Sequence, residues 1–130
     1  MRATHILVAD DNRQVRKAVC QMISMDKRIH RCSEAENGIE AVQFAEREHP
    51  DLIIMDLTMP GMDGLEASRK IKDAEPNITI ILVSMHADLI SATEMLKAGI
   101  SAKISKDRAA VELLPAIRSL LHLSGTASIA

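Results

Sequence analysis

The fold is decided by a stretch in the middle of the chain, residues 52–64, which reads LIIMDLTMPGMDG. Its first four residues are apolar, and a short continuous apolar run is typical of a strand covered on both faces of a parallel sheet. Asp56 follows this run at once. Pro60 then favours a turn, and Asp63 is suited to cap the start of a helix. The stretch therefore predicts a strand, a turn and a helix, with a carboxylate at the carboxyl end of the strand.

Short apolar runs alternate with helical periodicity along the rest of the chain, a pattern typical of βα units around a parallel sheet. The first and fourth runs are nearly as apolar as the central one, whereas the second and fifth are weaker and belong nearer the sheet edges. Right-handed crossovers between such units predict an α/β fold, a doubly wound five-stranded parallel sheet in the flavodoxin-like (βα)5 order 2-1-3-4-5. The predicted strands are residues 5–9, 28–32, 52–55, 78–83 and 102–104.

Apolar residues at helical spacing predict one helix after each strand. The third begins after Asp63, and the fourth spans about Asp88 to Ala98, with Gly99 just past its end. The fifth contains Pro115, which lacks the backbone donor of an interior helical position, so this helix either starts only a few residues before Pro115 or is kinked there. The apolar positions are Val15, Ala18, Val19, Met22 and Ile23 in the first helix, Ile39, Val42 and Ala45 in the second, Leu65 and Ile71 in the third, and Leu113, Leu114, Ile117, Leu120 and Leu121 in the fifth.

Composition limits the classes of function. The 130 residues are 47% hydrophobic and 26% charged, which suits one folded domain. A net charge of -2 and a single aromatic residue, Phe44, argue against direct nucleic-acid contact. Apolar runs of four residues are too short to cross a membrane or to form a signal peptide. We expect a cytoplasmic chain with one domain at residues 1–123, and residues 124–130 as a polar tail or the start of a linker to an absent domain.

The two cysteines, Cys20 and Cys32, show no CxxC motif and no second pair. In a cytoplasmic chain this spacing favours neither a disulfide framework nor a zinc site. We therefore expect two reduced, partly buried thiols.

Polar side chains follow four of the predicted strands. The first strand ends at Asp10 and Asp11, the third at Asp56 and the fourth at Ser84, and the fifth runs into Lys106. Open parallel sheets bind ligands at the carboxyl ends of their strands, beside the point where the strand order reverses. We therefore expect three carboxylates, one hydroxyl and one ammonium group to share a single crevice.

The charges of these groups predict a cation site. Three carboxylates within about 4 to 6 Å would repel by roughly 3 to 4 kcal/mol per pair at an effective dielectric near 20. An all-oxygen, carboxylate-rich site suits Mg²⁺, which also screens a carboxylate from a bound phosphoryl group. Ser84 and Lys106 would then contact the remaining phosphoryl oxygens. Asp56, in the middle, becomes a candidate nucleophile that forms an aspartyl phosphate.

These residues resemble the receiver (REC) domain of two-component response regulators. The resemblance covers about Thr4 to Leu121, and its central pattern, Asp-x-x-Met-Pro-x-Met-x-Gly, is highly specific. Residues 82–86, Lys106-Asp107 and the helix around residues 113–117 are similar to the NarL/FixJ (LuxR-type) branch. Members of this branch usually carry a C-terminal helix-turn-helix DNA-binding domain.

The resemblance implies a role for each site residue. Asp56 would be the phosphoacceptor, supplied by a sensor histidine kinase or phosphotransfer protein. Asp11 would bind Mg²⁺ directly, Asp10 through a water, and Thr58 through its backbone carbonyl. Ser84 would be the switch hydroxyl and Lys106 the cation paired with the phosphoryl group; Pro60 and Gly61 would shape the turn after Asp56. The domain would catalyse its own phosphorylation and slow dephosphorylation, and dimerisation on phosphorylation is common in the family.

One position departs from the family pattern. The aromatic switch residue, usually three positions before the lysine, is replaced here by Lys103. A lysine enters an apolar slot less readily than an aromatic ring, which puts the usual coupling of Ser84 motion to that face in doubt. We expect Lys103 to be a solvated charge on an edge strand, with a partner contact as the alternative.

Other functions remain open on the sequence alone. A phosphatase of the haloacid-dehalogenase type also uses a strand-end Asp and Mg²⁺, but its second Asp would stand where this chain has Thr58. A flavin or nucleotide binder needs a first loop rich in Gly, Ser or Thr, whereas here that loop begins Asp10-Asp11. A stand-alone receiver, or a pseudo-receiver that acts only through protein-protein contacts, remains a further alternative.

Overall fold

The computed structural model describes residues 3–123. It contains a five-stranded parallel sheet in the order β2-β1-β3-β4-β5, which confirms the predicted topology. The predicted tail, residues 124–130, lies outside the described residues. The strands are β1 His5–Ala9, β2 Arg31–Ala35, β3 Leu52–Asp56, β4 Thr79–Ser84 and β5 Ala102–Ser105; the helices are α1 Arg13–Ser24, α2 Gly38–Glu48, α3 Gly64–Ala74, α4 Ala92–Ala98 and α5 Ala109–Leu120.

Helices cover both faces of this sheet. α1 and α5 pack on one face through residues such as Ile23 and Ile117, and α2, α3 and α4 pack on the other through residues such as Ala41 and Ile71. The middle strand, β3, is buried along its entire length. Because β3 carries Asp56 at its end, a fully buried strand positions that carboxylate. Within residues 3–123, no helix is long and apolar enough to cross a membrane.

β2 and α4 begin several residues later than the sequence pattern indicated. β2 starts at Arg31 rather than at residue 28, because Asp26 and Arg28 form a side-chain-stabilised turn before it. α4 starts after Ser91 rather than at Asp88. Ser91 and Glu94 form a capping box there, which satisfies the free backbone donors of the first turn. A separate short 3₁₀ turn, Ala87–Leu89, occupies the region predicted as the helix start.

The boundaries of α3, α4 and α5 can be compared with the sequence prediction. Asp63 caps α3 by accepting a hydrogen bond from the Glu66 amide at 2.8 Å, as predicted. Gly99 ends α4 with a φ of 72°, also as predicted. α5 starts at Ala109 and continues past Pro115, so the proline lies inside the helix.

The prediction of two reduced cysteines is wrong for this structure. Cys20 on α1 and Cys32 on β2 form a disulfide, with their Cα atoms 5.8 Å apart. The sequence spacing gave no hint of the pairing, because the crossover from α1 to the adjacent β2 brings the two residues together in space. The disulfide joins the helix that follows Asp10 and Asp11 to the edge of the sheet.

A buried cluster of charged side chains lies just after the end of α1. Asp26 is 8% exposed, and its carboxylate accepts hydrogen bonds from Arg28 and from Arg118 on α5, both at 2.9 Å. Arg28 also donates to the Leu123 carbonyl at 2.7 Å. The hydrogen bond from Arg28 outweighs the effect of burial and holds the pKa of Asp26 well below its usual range. The cluster thus ties the end of α1 to α5.

Asp26→Asn should lower the free energy of unfolding by about 2 kcal/mol at pH 7, because two guanidinium groups lose their carboxylate. Since the folded-state pKa is lowered, the stabilisation is complete above the unfolded pKa of about 4 and is lost as the pH falls below it. Urea denaturation at several pH values checks both points, with Asp73→Asn, an exposed carboxylate on α3, as the control. Equal stability of wild type and Asp26→Asn at pH 7 would contradict the assignment.

Candidate functional site

The sheet topology brings the predicted site residues to one edge. Asp56 is the last residue of β3 and Ser84 the last of β4, while Asp10 directly follows β1 and Lys106 directly follows β5. Asp56 pairs in register with Val83, so Ser84 stands one residue beyond it on the neighbouring strand. Because all these strands run parallel, their carboxyl ends form one crevice beside the β1–β3 switch in strand order.

Three carboxylates converge in this crevice. Asp10, Asp11 and Asp56 each present an oxygen within 4.8 Å of the others. Asp10 and Asp56 are buried, at 5% and 3% exposure, while Asp11 is exposed. This donor set fits a hard divalent cation that retains several water ligands, because two carboxylates lie in the protein and the third faces solvent.

Lys106 supplies the positive charge of the site. Its Nζ lies 3.2 Å from Asp56 Oδ1 and 3.5 Å from Asp10 Oδ2. Burial alone would lower the pKa of Lys106, but the charges of Asp56 and Asp10 outweigh it and raise that pKa. The ammonium group is therefore firmly protonated and bridges two of the three carboxylates.

The environment of Asp56 disfavours its charge. Burial is the largest cause, the charge of Asp10 is the second, and together they raise the pKa of Asp56 against the opposing effects of Lys106 and a backbone hydrogen bond from Thr58. Val83 and Leu113 line an apolar cavity beside the same carboxylate. A desolvated carboxylate with a raised pKa gains from any further positive charge in the crevice.

The loop after β1 fixes the orientation of Asp10. The Asn12 amide donates to Asp10 Oδ1 at 2.8 Å, and the Asn12 side chain caps α1 by accepting from Val15 at 3.1 Å. Arg16 Nη1 donates to the Asp10 carbonyl at 2.8 Å, and its Nε donates to Glu34 on β2 at 3.0 Å. Arg16 was not among the predicted site residues, because its only sequence signal was a basic residue in the first turn after an acidic pair.

The loop after β3 needs glycine at two positions. Gly61 has a φ of +77°, which supports the predicted turn at Pro60 and Gly61. Gly64 packs against the Asp56 backbone, where an added Cβ would collide with the Asp56 carbonyl oxygen and lie 2.9 Å from Leu57 Cα. Gly64 is part of the central sequence pattern, but this role could not be predicted from it, because the role depends on the close return of α3 to the Asp56 backbone.

Ser84 is buried and already hydrogen-bonded. Its Oγ accepts a hydrogen bond from the His86 amide at 3.0 Å, two residues further along the chain. The hydroxyl therefore holds the start of the loop between β4 and α4. A move of this oxygen toward another partner would release the His86 amide.

Lys103 is not the solvated charge that the sequence predicted. Its Nζ donates to the Ile90 carbonyl at 2.5 Å, across the space between β5 and the segment that leads into α4. Lys103 as a whole is only partly exposed. The sequence expectation was wrong because the carbonyl before a helix cap gives the ammonium group a partner within the chain.

The fold and this crevice define a receiver-type α/β protein with an acidic site at the sheet edge. A family model described as "Response regulator receiver domain" matches residues 6–118. The chain belongs to the response regulator receiver domain family.

Individual relatives place it more closely. It is 31% identical over 113 residues to the transcriptional regulatory protein DegU of Brevibacillus brevis and 33% identical over 116 residues to the response regulator UvrY of Escherichia coli, matches that cover 87% and 89% of this chain. The chain spans about half of those relatives' length, 48% and 53%. A LuxR-family response regulator structure from Aurantimonas shares 29% identity with a TM-score of 0.79, covering 93% of this chain and 86% of that one. These similarities confirm the NarL/FixJ (LuxR-type) resemblance.

Two substitutions should move the pKa of Asp56 in opposite directions. Asp10→Asn removes a repelling charge and should lower it, whereas Lys106→Met removes an attracting charge and should raise it further. Carboxyl ¹³C NMR titration without divalent cations measures both shifts, and Lys70→Met, an exposed lysine on α3, is the control for loss of a distant positive charge. If neither Asp10→Asn nor Lys106→Met changes the midpoint, the three groups do not share a site.

Proposed function

We propose that this chain is a phosphorylation-driven switch in two-component signalling, in which Asp56 accepts a phosphoryl group from a sensor histidine kinase or a phosphotransfer protein. The observation that carries the proposal is the position of the Asp56 carboxylate, buried between the Asp10 carboxylate and the Lys106 ammonium group. Burial of two carboxylates is unfavourable, and a site that only supplied a surface charge would not require it.

The chemistry of transfer needs little beyond positioning. An Asp56 oxygen attacks the phosphorus of a phosphohistidine, a P–O bond forms, the P–N bond breaks, and the imidazole leaves with a proton from solvent. Lys106 then pairs with the phosphoryl oxygens, and the Ser84 hydroxyl donates to them after leaving His86. Hydrolysis reverses the modification, as water attacks phosphorus and inorganic phosphate leaves from Asp56. The domain thereby catalyses its own phosphorylation and slow autodephosphorylation.

Mg²⁺ is the cofactor that this donor set suits. Asp11 and Asp56 would bind it directly, Asp10 through a water, and Thr58 through its backbone carbonyl. When bound, the ion neutralises negative charge between the carboxylates and the incoming phosphoryl group. The Asn12 amide donates to Asp10 Oδ1 and so fixes the orientation of the carboxylate that would hold the metal-bound water.

The output of the switch lies outside residues 1–123. Phosphorylation shifts a two-state equilibrium through its differential contacts with Ser84 and Lys106, and a partner surface reads the change. The relatives' greater length and the NarL/FixJ resemblance support a C-terminal helix-turn-helix domain that residues 124–130 would join. The same resemblance supports a cytoplasmic location and a homodimer as the active form, with no direct nucleic-acid contact by the receiver.

Incubation of the chain with acetyl phosphate and Mg²⁺ should add the mass of one phosphoryl group, and the gain should be absent from Asp56→Asn. Intact-protein mass spectrometry measures the gain, and hydroxylamine, which cleaves acyl phosphates, should remove it. Asp73→Asn serves as the matched carboxylate control and should be phosphorylated like the wild type. Chelation of divalent cations should abolish the gain.

Two outcomes separate the proposal from its alternatives. A mass gain that persists in Asp56→Asn assigns the phosphoryl group to another residue and overturns the proposed acceptor. No gain in the wild type, together with no Mg²⁺ binding, would favour a pseudo-receiver that acts through protein contacts alone.

A further inference from the structure

Lys103 points toward the sheet face covered by α4. Its neighbours in β5, Ala102 and Ile104, pack with the α1 and α5 side of the core. Because side chains alternate along a strand, Lys103 faces the opposite side. There its Nζ donates a hydrogen bond to the Ile90 carbonyl at 2.5 Å. We call this hydrogen bond the Lys103–Ile90 contact.

Ile90 lies between the buried core and the start of α4. Its side chain is 4% exposed and belongs to the apolar cluster under α2, α3 and α4. The next residue, Ser91, caps α4 and exchanges hydrogen bonds with Glu94 in the capping box. A bond that fixes the Ile90 carbonyl therefore also fixes the point where α4 begins.

The other end of the same segment is held by Ser84. The Ser84 hydroxyl accepts from the His86 amide at 3.0 Å. Residues 85–90 are thus fastened at their start by a hydroxyl and at their end by an ammonium group. If the Ser84 hydroxyl turns toward a phosphoryl group on Asp56, the first fastening is released and the Lys103–Ile90 contact remains.

We propose that Lys103 is a positioning residue that holds residues 85–90 and the start of α4 in the arrangement of the unphosphorylated chain. Its effect on activation rests on the proposed function, because it opposes the movement that Ser84 would start. A hydrogen bond from a charged donor to a carbonyl is stronger than a neutral one, so its loss shifts a two-state equilibrium by about tenfold. Phosphorylation of this chain then has to break the Lys103–Ile90 contact, at a position where the family pattern has an aromatic side chain.

Amide hydrogen exchange of the unphosphorylated protein tests the contact directly. Lys103→Met keeps the length of the side chain but removes its donors, and the amides of residues 86–91 should exchange about tenfold faster. Lys103→Arg keeps a charged donor and should restore slow exchange. Lys70→Met should leave exchange unchanged. Wild-type exchange in Lys103→Met, or equally fast exchange in Lys103→Arg, would overturn the proposal.

The rate of phosphorylation by acetyl phosphate and Mg²⁺ tests the consequence for activation. Lys103→Met should be phosphorylated about fivefold faster than the wild type, because more of it already occupies the receptive arrangement. Lys103→Arg and Lys70→Met should match the wild type. An unchanged rate in Lys103→Met, beside a phosphorylated wild type, overturns the role of Lys103 alone. An unphosphorylated wild type overturns the proposed function, while the exchange experiment still decides the Lys103–Ile90 contact.

Discussion

The contact of the Lys106 ammonium group with Asp56 and Asp10 is the interaction on which the site depends. Two buried carboxylates side by side repel each other, and burial makes the charge of each less favourable. Lys106 compensates one negative charge, and Asp11 adds another from the solvent side. The site therefore carries an excess of negative charge, which favours a cation and, once the cation is present, an anionic phosphoryl group.

The rest of the fold holds this charge balance in place. β3 is buried along its length and fixes Asp56, while Asn12 and Arg16 fix the loop of Asp10. Gly64 lets α3 return close to the Asp56 backbone. On the far side, Ser84 and Lys103 hold the two ends of the segment before α4, so a change at Asp56 has a short path to a helix on the surface.

Much of this arrangement could be predicted from the sequence, because parallel strands place their following residues at one edge. That rule alone predicts one shared site for Asp10, Asp11, Asp56, Ser84 and Lys106. Contacts between elements distant in sequence could not be predicted in the same way. The Cys20–Cys32 disulfide depends on how α1 lies against β2, and the partner of Lys103 is a backbone carbonyl that carries no signal in the sequence. The starts of β2 and α4 were missed because turn and cap hydrogen bonds, not apolar periodicity, set them.

The most direct test of the central claim is ¹⁵N NMR of the wild-type chain titrated with Mg²⁺ and beryllofluoride, a mimic of an aspartate-bound phosphoryl group. The shared site predicts that the amides of residues 10–12, 56–58, 84–86 and 106 shift together, and that beryllofluoride adds its shifts only when Mg²⁺ is present. Shifts scattered over other surfaces, or beryllofluoride binding without the cation, would contradict a single compensated site.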